Sequence, residues 1–278
     1  MPYKTILVHL NNERRAGPLL ECAATFGEKF GAHVIGLYVF PAFRLTPPVP
    51  MPFGKELAGT LRGEMREDER RIRLVFNSIM KDRAAVSEWR PVTTERRPVA
   101  EVVLEHARAA DLAIASQADP DWGFSDILDC PDRLAIESGR PVLILPNTGR
   151  FPGLPRTVLV AWNGRREAVR AAFDALPLLE LAEAVEVLTV VEQPRDEASL
   201  PDTEIAAALA RHGVNVRLAK VSPRKGSAAH EIKAHAADIK ADLLVMGAYG
   251  HSRLSEFVFG GATRHLLQEM TIPVLFSH

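Results

Sequence analysis

Cysteine is nearly missing from this chain. Cys22 and Cys130 stand far apart with no partner at metal-ligand spacing, which excludes a disulfide framework and a zinc motif and leaves both as small apolar residues of the interior. Charge of one sign is missing too: 34 Lys and Arg against 35 Asp and Glu leave a formal net charge of -1. Without a basic excess, nothing neutralises nucleic-acid phosphates or holds the chain to anionic lipid, so nucleic acid is not an expected partner. No apolar run approaches the roughly 20 residues of a membrane-spanning helix, so no membrane partner is expected either. The opening MPYKTILVHLNNERR has a short apolar run followed directly by charge. It reads as a first strand, not as the core of a signal peptide, and the expected location is cytoplasmic. No Ser-His-Asp order, paired carboxylate site or Walker lysine pattern stands out, so a binding protein is expected rather than an enzyme.

What is present is alternation. Hydrophobic residues make up 47% of the chain and charged residues 25%, enough apolar material for one large core or two modest ones. The short β-branched run Thr5-Ile6-Leu7-Val8 precedes a helical stretch over 16–30 and a second run over 34–39, the pattern of βαβ units in a parallel sheet. The order then returns. Lys4-Thr5-Ile6-Leu7-Val8 matches Arg156-Thr157-Val158-Leu159-Val160, Asp111-Leu112-Ala113-Ile114-Ala115 matches Asp242-Leu243-Leu244-Val245-Met246, and Pro141-Val142-Leu143 matches Pro273-Val274-Leu275. Two copies of one unit explain this, the first carrying extra residues. Residues 41–54, with Pro41, Pro47, Pro48, Pro50 and Pro52, are the candidate insertion, because proline fixes φ and lacks a donor. The Pro/Gly/Asn-rich stretch 146–155 reads as a linker, giving domains over 1–150 and 151–278.

In the second copy strands are predicted over 156–161, 184–191, 214–221, 242–247 and 272–277, with helices over 165–181, 201–212, 226–240 and 261–270. The helix over 226–240 has Ala229, Ile232, Ala236 and Ile239 on an apolar face, opposite a solvated face with Glu231, Lys233 and Lys240.

The stretch with the most chemistry runs from Gly247-Ala248-Tyr249-Gly250 through His251 to Gly260-Gly261-Ala262-Thr263. It leaves a strand and opens a helix, where glycines permit close backbone approach and free N–H groups attract an anion. The bland alternative is a strand-to-helix turn and a helix cap. The spacing of Gly247, Gly250 and Gly260 resembles the ATP-binding motif of universal stress proteins, and the resemblance extends over the whole chain. It implies two Rossmann-like α/β domains (adenine nucleotide alpha hydrolase-like), each a five-stranded parallel sheet with helices on both faces, related by a pseudo-two-fold. It also implies that the fifth strands, 141–145 and 273–276, pack together, making the chain an intramolecular pair; a free edge or an apolar helix face would still allow a homodimer.

Carried over by position, the resemblance puts adenine and ribose against Ala161, Trp162, Asn163, Val190 and Met246. The phosphates fall to Gly247, Gly250, Gly260, Gly261, Ala262 and Thr263, with His251 and Arg253 able to add charge. Asn163 stands where the family usually has aspartate and Gly261 where it has Ser or Thr; Thr263 is the nearest hydroxyl. Trp162 either stacks on the base or seals the top of the sheet. The implied ligand is ATP, with or without magnesium, the implied role a sensor or regulator in stress response, and the most turnover implied is slow ATP hydrolysis. Two rivals stay open: a stress protein working through protein contacts or another small ligand, and a flavin- or adenylate-related enzyme of the same fold type.

In the first copy Ser116 takes the place of Gly247 and the glycine spacing is gone. Asp119, Asp121, Asp126 and Asp129 put negative charge where phosphates would sit, as a solvated acidic loop or a calcium or magnesium site. No ATP is expected there, though another small ligand could lie under the 41–54 loop. His230 and His235, five apart, miss the i, i+4 spacing of a two-histidine zinc motif and read as surface or interface residues; His251, His265 and His278 are scattered. No metal site is expected.

Overall fold

The computed structural model describes residues 2–42, 54–95, 97–149, 151, 153–191, 202–222, 228–248 and 266–278. The first half supplies strands β1 (Thr5–His9), β2 (His33–Phe40), β3 (Ser87–Thr93), β4 (Leu112–Ser116) and β5 (Val142–Leu145). The second supplies β6 (Thr157–Trp162), β7 (Ala184–Val190), β8 (Val216–Val221), β9 (Leu243–Gly247) and β10 (Val274–Ser277). They form one sheet in the order β3-β2-β1-β4-β5-β10-β9-β6-β7-β8. Neighbours within each half are parallel. The halves meet antiparallel, with Val274 opposite Ile144, Leu275 opposite Leu143 and Phe276 opposite Val142. The packing expected of the fifth strands is therefore main-chain pairing, and the strand order reads alike from both ends about this junction.

Between the strands lie α1 (Glu13–Phe30), α2 (Gly54–Met80), α3 (Val99–Ala107), α4 (Ser125–Leu128), α5 (Pro131–Glu137), α6 (Arg166–Asp174), α7 (Leu176–Leu179), α8 (Asp202–Arg211) and α9 (Ala228–Asp238). They cover both faces of the sheet. One core layer joins Leu20 and Phe26 of α1, Phe76 of α2, Ala172 of α6 and Leu209 of α8. The opposite layer joins Val103 of α3, Leu134 of α5, Ile232 of α9, and Leu266 and Leu267. Because both faces are covered, the central strands are apolar on alternate and intervening positions alike. Cys22 and Cys130 are buried and free, and burial pushes the Cys22 thiol up to about 12.

One polar device is written in both copies. The Asp111 carboxylate accepts from the N–H groups of Lys4 (2.8 Å) and Thr5 (2.9 Å). Asp242 accepts in the same way from Arg156 (2.9 Å) and Thr157 (3.0 Å). Each acid satisfies N–H groups where the first strand of its copy begins, so the strand starts in register with its neighbour.

Several expected elements end elsewhere. The helix over 165–181 is two, α6 and α7, because Pro177 has no N–H for an unbroken helix and the chain restarts with Leu178 N–H on Ala175 O (2.8 Å). The strand over 214–221 begins at Val216, since Val214 N–H closes onto Leu209 O behind α8. The helix over 226–240 ends at Asp238, with Lys240 at φ 54, and Lys233, expected to be solvated, bonds Glu269 at 2.5 Å. The first helix starts ahead of residue 16, because the Asn12 side chain caps Arg14 N–H at 2.9 Å. Of the helix over 261–270, residues 266–270 are described; 266–269 are helical and Met270 is not. Of the 41–54 insertion, 43–53 lie outside the described residues. No helix among the described residues is long and apolar enough to cross a membrane.

Candidate functional site

In an open parallel sheet, a ligand sits beyond the carboxyl ends of the strands where the strand order reverses. Here that happens between β1 and β4, and again between β6 and β9. At the second switch point Ala161 lies opposite Met246 on one side and Leu188 on the other. Ala161, Val190 and Met246 all belong to the layer that packs on α9. Met246 is buried and the other two half-buried, so they make an apolar wall at the strand ends. Trp162 does not share it. Adjacent residues of a strand face opposite ways, and Trp162 packs into the other core layer.

Asn163 follows, exposed, with its Oδ1 accepting from Arg165 N–H at 3.0 Å in a turn that leads into α6. Gly247 closes β9. A Cβ there would stand 2.5 Å from the Glu167 carbonyl carbon and 2.7 Å from Ala168 N, main-chain atoms of the first turn of α6, so only glycine permits this approach. Glu167 is buried. Burial acts to raise its pKa, but hydrogen bonds from Arg166 and its own N–H, with the charges of Arg166 and His278, outweigh that and hold the carboxyl below its usual range. His278 Nδ1 donates to Ala248 O at 2.9 Å, tying the C-terminus to the same strand end. Gly250, His251, Gly260, Gly261, Ala262 and Thr263, with Arg253 and His265, lie outside the described residues.

By sheet register, His9, Val39, Ala115 and Ser116 occupy in the first half the places of Ala161, Val190, Met246 and Gly247. Here the switch point carries a dense polar cluster. Arg15 Nη2 pairs with Asp129 Oδ1 at 2.9 Å, the side chains 6% and 2% exposed. Arg15 Nη1 donates to Gln117 O (2.9 Å), and the guanidinium carbon lies 4.8 Å from the centroid of the Trp122 ring. The Asp129 carboxylate also accepts from Asn11 Nδ2 (2.8 Å), Ser125 Oγ (2.7 Å) and Asp119 N–H (3.0 Å). Asp129, expected in a solvated acidic loop or a cation site, is thus a buried acceptor saturated by its own chain. No group of three or more His, Cys, Asp or Glu among the described residues could hold a metal.

His9 is enclosed beside this cluster. Burial pushes its pKa down to about 4, with Asp129 opposing and Arg15 assisting, and its Nε2 has no partner. Gln117 joins the halves: its Nε2 donates to Leu267 O (2.8 Å) and Gln268 O (3.0 Å), and its Oε1 accepts from Asn147 N–H (3.2 Å). Arg15, Gln117, Trp122 and His9 escaped the sequence reading; the available signal was an arginine in the first helix where the second copy has Glu167. His235, expected at the surface or an interface, is half-buried and bonds Glu186 of β7, while His230 is exposed.

A family model described as the universal stress protein family matches residues 155–278. The second half of the chain is thus similar to the universal stress protein family. A curated universal stress protein of Synechocystis sp. is 44% identical over 50 residues, a match that spans 18% of this chain and only 17% of that protein's length. Among solved structures, a universal stress protein from Archaeoglobus fulgidus aligns with 100% of this chain and 96% of its own, at a TM-score of 0.69 and 15% identity. A candidate universal stress protein from Pseudomonas aeruginosa aligns with 99% and 93%, at 0.57 and 18%. At such identities the likeness is one of fold. It runs through both halves, so the first half keeps the shared architecture where its glycine spacing is lost.

Proposed function

We propose that this protein acts as a universal stress protein, a binding module for an adenine nucleotide, ATP with or without magnesium, held in its second half. Occupancy rather than turnover is its output, as a cytoplasmic regulator. The observation that carries this reading is the asymmetry of the switch points: an apolar wall of Ala161, Val190 and Met246 at one, and a self-satisfied Arg15–Asp129 cluster at the other. The wall suits a flat base, the Asn163 amide can hydrogen-bond a ribose or base edge without adding charge, and the glycine-rich 247–263 segment supplies N–H groups for phosphate. The carboxylate of Glu167, whose main chain touches Gly247, opposes a bare triphosphate. It favours a magnesium complex or a nucleotide with fewer phosphates.

Calorimetric titration of the full chain with ATP, ADP and AMP, with and without magnesium, tests the proposal. One site per chain with Kd on the order of micromolar, lost when Gly250 and Gly260 are both changed to valine, is the expected result. No heat up to millimolar nucleotide would overturn it.

A second reading has its own support. Gly247 is already required by its contact with α6, and Asn163 Oδ1 is already engaged by Arg165. A nucleotide-independent protein that works through contacts would need both residues. A yellow purified protein would instead point to a flavin.

A further inference from the structure

The first half has a cavity of about 540 Å³ at the carboxyl ends of β2 and β3, toward the sheet edge from the Arg15–Asp129 cluster. Pockets for small organic ligands run from about 300 to 1,000 Å³, so this one has room for a molecule of that class. Its apolar side includes Phe40 and Met65, and its polar side has Arg62 and Arg66 of α2, facing Thr93 and Glu95.

The two arginines set the chemistry. Helix α2 is rich in charge, and its other arginines show what usually becomes of them: Arg70 binds Glu67 at 2.6 Å, and Arg71 binds Glu13 at 2.7 Å and also Asp68. Arg62 and Arg66, both exposed, have no acidic partner among the described residues. They stand four residues apart, on one face of the helix, where like charges repel. Met65 between them is 2% exposed and faces inward. Opposite, Glu95 holds φ 55, a left-handed conformation that is uncommon outside glycine. A pair of unpaired guanidinium groups at the mouth of an apolar pocket complements a planar or tetrahedral oxyanion joined to an apolar body, which guanidinium binds through paired N–H donors.

We propose that the first half of this protein binds an amphiphilic organic anion here, its ring or short acyl body against Phe40 and Met65 and its single carboxylate, sulfonate or phosphate head between Arg62 and Arg66. The site is separate from the nucleotide site proposed in the second half and does not depend on it.

The test uses the full chain and 8-anilinonaphthalene-1-sulfonate as fluorescent probe, with saturating ATP present so that the second half cannot account for the signal. Saturable binding at one site is expected, displaced by decanoate but not by decanol. Changing Arg62→Ala and Arg66→Ala together should weaken it about tenfold or more, the loss of a charge-assisted contact, while R62K/R66K should weaken it less. Because both arginines are exposed, the variants should melt within a few degrees of the parent. Equal probe affinity in the R62A/R66A protein, or equal competition by decanol, would overturn the proposal, and so would the loss of all probe binding on going from no ATP to saturating ATP.

Discussion

Arg15 of α1 and Asp129, which follows α4, are joined by a 2.9 Å ion pair at the first switch point, their side chains 6% and 2% exposed. The pair is 114 residues apart in sequence. Removing either partner leaves the other buried and uncompensated, so Arg15→Ala or Asp129→Ala should cost about 3–5 kcal/mol. Replacing both together, Arg15→Ala with Asp129→Ala, should cost clearly less than the sum, because the second truncation removes the charge that the first leaves uncompensated. Urea unfolding of the four proteins measures this. Strict additivity would mean the two side chains do not act as a pair.

His9 makes the first half sensitive to acid. Its folded pKa lies near 4, below its ordinary value of 6.5, because burial disfavours the charged form. The unfolded chain therefore binds a proton on this residue between those values and the folded chain does not. Stability is full above pH 6.5 and falls by about 1.4 kcal/mol per pH unit as the pH drops through that window. His9→Leu should flatten the curve between pH 6.5 and 4, as read by denaturant unfolding at several pH values. An unchanged slope would show that His9 protonates freely in the folded protein.

Gly247→Ala should lose about 1–3 kcal/mol, since its Cβ would stand 2.5 Å from the main chain of Glu167 and neither backbone can give way. Gly63→Ala is the control. It lies within α2 with open space around it and should gain about 0.5–1 kcal/mol from helix propensity. Thermal unfolding of both checks the contrast, and a neutral Gly247→Ala would mean that the end of β9 stands off α6.

Gln117→Ala should remove about 1–3 kcal/mol by leaving Leu267 O and Gln268 O without their donor. Faster amide hydrogen exchange in 266–269 is expected, because that turn then loses its tie to the first half. Unchanged exchange there would show that the turn is held from its own half.

How much of this was legible beforehand follows from the range of each interaction. The alternation of strands and helices, the two copies, and the equivalence of Asp111 with Asp242 rest on residues close in sequence. Local hydrophobic period and turn chemistry suffice for those. Even helix ends went astray where one side chain decided them, as with Asn12 and Pro177.

By itself, then, the sequence determined the class of fold, the repetition, and the place of a glycine-rich segment after a strand, all written in short-range patterns. Only the tertiary structure decided that Trp162 turns away from Ala161, Val190 and Met246, that Arg15 and Asp129 meet, and that Gln117 reaches Leu267 across 150 residues of chain. The physical reason is common to all three. A side chain's partner depends on which strand lies beside its own and on which face it points to, and the sheet order β3-β2-β1-β4-β5-β10-β9-β6-β7-β8 brings together strands from distant parts of the chain.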